Sequence, residues 1–119
     1  MSGWAKLYRK LLNHPRFRDA QWVQLWNFLL LSVDHSGTQK RIFRGQIITL
    51  LPGQMVTGRA KISEITGIHR SKIERLLACM ESEHQIEQQK SNTSRLISIT
   101  NWQDYQSSEH QIEQQMSNK

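Results

Sequence analysis

A chain of 119 residues is long enough for one hydrophobic core and too short for two comfortable ones. Sixteen Lys and Arg against ten Asp and Glu give a net charge of +6 and a pI near 9.9, a balance that favours a polyanionic partner. The single cysteine, Cys79, excludes an internal disulfide and fits a reducing compartment; the longest apolar run, Phe28 to Leu31, falls far short of a membrane span, so a soluble cytoplasmic protein with no membrane partner is expected.

The charge is unevenly placed. Residues 1–80 carry 13 Lys or Arg against 4 Asp or Glu, whereas residues 81–119 carry 3 against 6, so the first part is +9 and the second −3.

Trp4 to Asn13 alternates and then clusters apolar residues around Lys6, Arg9 and Lys10, so a short strand and a short helix compete there, and His14-Pro15 ends either one. From Asp19, in N-cap position, Trp22, Val23, Leu25, Trp26, Leu29, Leu30 and Val33 recur at helical spacing and predict one long, deeply buried helix. Trp22 and Trp26 sit four apart and are read as core packing, not as an aromatic ligand box.

His35-Ser36-Gly37 is turn-like, and Arg41 to Leu51 reads as two short β segments around Arg44-Gly45, closed by Pro52-Gly53. Gln54 to Thr57 is a brief strand. Gly58 separates it from a helix that begins near Arg59 or Ala60 and is stopped by Gly67. Ile73, Leu76, Leu77 and Met80 form an i, i+3, i+4, i+7 stripe, which predicts a second helix with one buried face. Gln85 to Lys90 and Arg95 to Thr100 then form an antiparallel hairpin across the polar turn Ser91-Asn92-Thr93-Ser94.

Past Trp102 and Tyr105 there is little left to bury. The expected organisation is a domain over residues 1–105 and a polar, disordered tail or linker over 106–119. The octapeptide Ser82 to Gln89 recurs identically as Ser108 to Gln115. Two copies are too few for a solenoid; duplication of a polar linker is the simple reading, and competition of the second copy for the first one's place in a sheet is the sharper one.

Helix, Gly-containing turn, helix and hairpin is the order of a winged helix-turn-helix, here an α+β fold with an additional N-terminal segment and hairpin. With the apolar stripe inward, Ser71, Arg75 and Ala78 turn outward and Arg70 and Glu74 lie on one flank. Base-reading residues are then Arg70 and Arg75, which can donate bidentate bonds to guanine, Ser71, which can bond either kind of edge, and Glu74, which can accept from cytosine or orient an arginine. Arg59, Lys61, His69, Lys72, Lys90 and Arg95 are the expected phosphate contacts on double-stranded DNA. Three plainer readings stand beside these: Glu74 as an i,i+4 partner of Arg70, His69 as a weak helix cap, and the cations as solvated faces. The five histidines (14, 35, 69, 84 and 110) lack ligand spacing with one another or with Cys79, and no phosphate-loop glycine signature occurs. No catalytic residue, metal or cofactor is expected, and the chain is read as not an enzyme.

Four segments carry a resemblance. Gly3-Trp4-Ala5-Lys6-Leu7-Tyr8-Arg9-Lys10-Leu11-Leu12, Gly53-Gln54-Met55-Val56-Thr57-Gly58-Arg59, Thr66-Gly67-Ile68-His69-Arg70-Ser71-Lys72-Ile73 and Leu96-Ile97-Ser98-Ile99-Thr100-Asn101-Trp102 resemble the N-terminal winged-helix domain of phage and prophage replication proteins, which are related to DnaD-like primosomal proteins and phage replisome organisers. The similarity spans roughly residues 3–105. It implies binding at a replication origin or primosomal site, a homodimer or higher oligomer, and replication partners recruited through a further C-terminal region outside these residues. Two other readings share the fold: a transcriptional regulator, and a protein-interaction or oligomerisation module that does not bind DNA.

Overall fold

Asp19 starts the first helix. Its carboxylate accepts from the backbone N–H groups of Gln21 and Trp22 at 3.1 and 3.2 Å, which satisfies two donors that a helix N-terminus leaves without an intrahelical partner. Helix α1 then runs Ala20–Ser32 and buries Trp22, Leu25, Leu29 and Leu30. The computed structural model in which these contacts are seen describes residues 6–7 and 9–102. Ahead of α1, where strand and helix competed on sequence grounds, Arg9–Asn13 forms a 3-10 turn. His14 follows and stacks on Trp22 with ring centroids 4.7 Å apart.

Among the described residues the fold is α+β, with three α-helices and two antiparallel sheets. Strands β1 (Lys40–Phe43) and β2 (Gln46–Thr49) make the first sheet, with Ile42 opposite Ile47. Their two-residue turn, Arg44-Gly45, has φ of 53° and 75°, the left-handed pair that matches the twist of a tight hairpin. Strand β3 (Gln54–Thr57) leads into α2 (Arg59–Thr66) and α3 (Arg70–Ser82). Gly67, at φ 78°, ends α2 and returns its N–H to the Ser63 carbonyl, a closure that a left-handed glycine makes without steric cost.

Strands β4 (Ile86–Lys90) and β5 (Arg95–Ile99) complete a second sheet in the order β3-β5-β4. Pleating sends successive side chains of β5 to opposite faces. Ile97 and Ile99 join Met55 and Ile86 against the helices, in one core with Leu25, Ile62, Ile68, Ile73 and Leu77. Leu96 points the other way and packs with Phe43 and Leu50, flanked by Ile48 and Val56. The β1–β2 hairpin therefore covers the face of the three-stranded sheet that the helices leave open.

Asp34 secures that arrangement. It is buried, and its carboxylate accepts from the N–H groups of Ser36, Thr38 and Gln39 at 3.2, 3.0 and 3.4 Å and from the Ser36 hydroxyl at 3.0 Å. Burial pushes its pKa up, but the hydrogen bonds from Ser36, Gln39 and Gly37 outweigh that and hold it below the ordinary carboxylate value. Its backbone closes the loop as well: the Gly53 N–H donates to the Asp34 carbonyl at 2.7 Å, and the Asp34 N–H to the Gln54 carbonyl at 2.9 Å.

The expected domain limit near residue 105, the tail 106–119, the second octapeptide copy and Gly3 to Ala5 with Tyr8 lie outside the described residues. No helix among the described residues is long and apolar enough to cross a membrane.

Candidate nucleic-acid interface

Helix α3 is divided lengthwise by burial. Ile73, Leu76, Leu77 and Met80 are buried, while Arg70, Ser71, Arg75 and Ala78 are exposed. The inward stripe is the cause of the outward set, because helical periodicity fixes one once the other is packed. Among the described residues, Arg70 and Arg75 form no ion pair. Both guanidiniums, each a planar five-donor fork, are free to meet an external acceptor.

His69 begins α3. Its Nδ1 accepts from the Ser71 N–H at 3.2 Å and lies 2.8 Å from the Ser71 hydroxyl. It is the N-cap itself, in the place where Ser or Thr is commoner, and it draws Ser71 into the cap.

Of the two roles expected of Glu74, accepting from cytosine or orienting an arginine, its contacts are those of the second. Its carboxylate is ion-paired with Arg95 on β5, and it also meets Lys90 Nζ on β4 at 3.8 Å. The Arg95 bond holds the Glu74 carboxyl below its ordinary value; burial opposes the shift, and the charges of Arg95, Lys90 and Arg59 reinforce it. Glu74 is thus an anchor for the β4–β5 hairpin in place of a base reader.

Arg95 needs correction. Its side chain is only 9% exposed, bonded to Glu74 and, through Nη1, to Gln88 Oε1 at 2.9 Å. A guanidinium so enclosed is spent on the fold and leaves the phosphate set. Lys72 is also engaged, 3.6 Å from the Asp19 carboxylate at the start of α1. Lys90 keeps its side chain 58% exposed despite Glu74, and Arg59 and Lys61 are exposed on α2.

The structure therefore brings Arg70, Ser71 and Arg75 together on α3, with Arg59 and Lys61 on the neighbouring helix. An open depression lined by Ala60, Lys61, Ser63, Glu64 and Arg70 lies between α2 and α3. The β4–β5 turn stands beside the start of α2, where a Cβ on Gly58 would lie 3.9 Å from the Thr93 carbonyl oxygen. Chemically the face offers paired hydrogen-bond forks and point cations; among the described residues no group of three or more His, Cys, Asp or Glu is placed to hold a metal ion.

Sequence reasoning missed Asp34 and, though it allowed Glu74 to orient an arginine, did not identify Arg95 as that arginine. Asp34 carried a weak signal, an acidic residue directly before a Ser-Gly turn. The ion pair carried none, because it joins positions 21 residues apart whose meeting depends on how the sheet docks on α3.

No family model matches this chain, no curated protein is significantly similar to it, and no solved structure matches it.

Proposed function

We propose that this protein is a winged helix-turn-helix module that binds duplex DNA, with α3 entering the major groove and the β4–β5 hairpin as its wing. One observation carries the reading: α3 presents Arg70, Ser71 and Arg75 exposed and, among the described residues, without carboxylate partners, Ser71 and Arg75 opposite its buried stripe and Arg70 on the flank. The succession β3, α2, α3, β4, β5 and the sheet order β3-β5-β4 support it, since that arrangement places a hairpin at the flank of the second helix of the pair. Arg70 and Arg75 read base edges, Ser71 adds an adaptable hydroxyl, and Arg59, Lys61 and Lys90 neutralise phosphates. The chemistry is binding, not catalysis. The resemblance of four segments to phage and prophage replication proteins supports a role at a replication origin or primosomal assembly as part of this proposal.

Fluorescence anisotropy of a labelled duplex at two salt concentrations tests this. Wild-type protein should bind with an affinity that falls steeply with salt. Arg70→Ala and Arg75→Ala should each cost about 1–3 kcal/mol and relax sequence preference. Lys61→Ala should weaken all duplexes evenly. Absence of duplex binding at low salt, or equal effects of the two kinds of substitution, refutes the assignment.

A further inference from the structure

From His35 to Ser63 the chain holds five Lys or Arg and no Asp or Glu. Three of these cations, Lys40, Arg41 and Arg44, are exposed on the β1–β2 hairpin, and among the described residues none of them forms an ion pair. Elsewhere this fold neutralises cations that lie near its own carboxylates, as Glu74 does for Arg95 and Lys90 and Asp19 does for Lys72. The hairpin cations are left without that compensation.

They are also held in place. Arg41 donates through Nη1 to the Lys40 carbonyl and through Nη2 to Gln39 Oε1, each at 2.8 Å. Arg44 lies over the Phe43 ring, 5.1 Å from its centroid, and donates to the Lys90 carbonyl at 3.0 Å. These bonds reach neutral acceptors, so they orient each guanidinium without cancelling its charge. Two contacts make the hairpin continuous with the candidate interface. Arg44 ties its tip to the end of β4. Arg41 shares a cleft of about 200 Å³ with Lys61 of α2, lined also by Gln39 and Thr57 and, for half of its residues, by apolar side chains such as Phe28, Met55 and Ile65.

We infer that the β1–β2 hairpin is a second phosphate-contacting arm: Arg41 and Lys61 seat one backbone phosphate of a DNA duplex in the cleft between hairpin and α2, and Arg44 extends the contact beside the β4–β5 hairpin. This rests on the DNA-binding reading above and adds an element that reading does not use. A phosphate is the partner chosen for the cleft because two cations from separate elements line it, with a neutral amide and a hydroxyl residue beside them, although half of its lining is apolar. The arm carries no sequence information, so it strengthens specific and non-specific duplexes alike.

The experiment is the salt dependence of duplex affinity for wild type, Arg41→Gln, Lys61→Gln, the double variant, and Arg70→Ala with Arg75→Ala, with mass in solution and circular dichroism recorded for each. Arg41 is exposed and bonds only within its hairpin, so its variant keeps the fold. Arg41→Gln should lower the slope of log affinity on log salt by about 0.9, the release expected for one phosphate contact. The double variant should lose less affinity than the product of the single losses, because both side chains serve one phosphate. An unchanged slope in Arg41→Gln, alongside lost binding in the α3 variant, overturns the inference and leaves the DNA-binding reading standing. A change in mass in place of a change in slope assigns the arm to protein contact and overturns it too. No duplex binding by the wild type removes both.

Discussion

The two hairpins are attached to the body of the protein by different chemistry. The β4–β5 hairpin is built into it: Ile86, Ile97 and Ile99 belong to the main core, and Arg95 and Lys90 are drawn to Glu74 on α3. The β1–β2 hairpin lies on the outside, held by Phe43 and Leu50 against Leu96, by the Asp34 loop and by Arg44. In sequence both hairpins look alike, short β segments with two or three cations each. What separates them is whether a carboxylate comes within reach once the chain is folded. Cations near one become structure, and cations away from one remain available to a partner.

The largest effect on this difference is expected at Asp34. Asp34→Ala leaves the amides of Ser36, Thr38 and Gln39 without their acceptor, at a cost of about 3 kcal/mol. Thermal melts should show it, and hydrogen exchange should rise first in β1 and β2 while β4 and β5 stay protected. Uniform exchange across both hairpins would show that the two are not separable.

Glu74→Gln comes next. It leaves Arg95 buried without its counter-charge, a loss of about 2 kcal/mol once the partial exposure of Glu74 is allowed for, and it should loosen β4–β5 in preference to β1–β2. The pH dependence has a definite sign. Glu74 and Asp34 both have folded-state pKa values below their ordinary ones, so the stability they contribute is complete above the ordinary carboxylate range. It is lost as pH falls through that range toward the folded values. Glu74→Gln should therefore flatten the acid limb of a plot of melting temperature against pH; an acid limb identical to wild type would refute the role given to this carboxylate.

The smallest effect belongs to Ile42 and Ile47. They face each other across β1 and β2 but are 69% and 73% exposed. Ile42→Ser with Ile47→Ser should change stability by no more than about 0.5 kcal/mol. A melting temperature that depends on protein concentration in the wild type and not in this variant would reveal the pair as a contact between copies.

Local structure was largely legible in the sequence because its signals are local. Asp19 as a cap, Gly67 as a stop and the Ile73, Leu76, Leu77, Met80 stripe each act within one or two turns of helix. Arg44-Gly45 marks its hairpin in the same way. The candidate site was legible to the same degree: Arg70, Ser71 and Arg75 follow from the stripe alone. That Arg95 is the arginine held by Glu74 was not legible, because the two lie 21 residues apart and meet only once the β4–β5 hairpin docks on α3, which no spacing rule encodes. The N-terminal ambiguity had another origin, since Trp4 to Asn13 satisfies two periodicities at once and the choice falls to tertiary contact.

Asp34, Gly53 and Gln54 form a neck through which residues 35–52 leave the chain's main path and rejoin it, closed by the Gly53 N–H to the Asp34 carbonyl at 2.7 Å and the Asp34 N–H to the Gln54 carbonyl at 2.9 Å. The neck fixes where β3 begins, while Phe43 and Leu50 of the loop it closes cover Leu96 of β5. One buried carboxylate residue thus sets both the turn that opens the loop and the backbone bonds that close it.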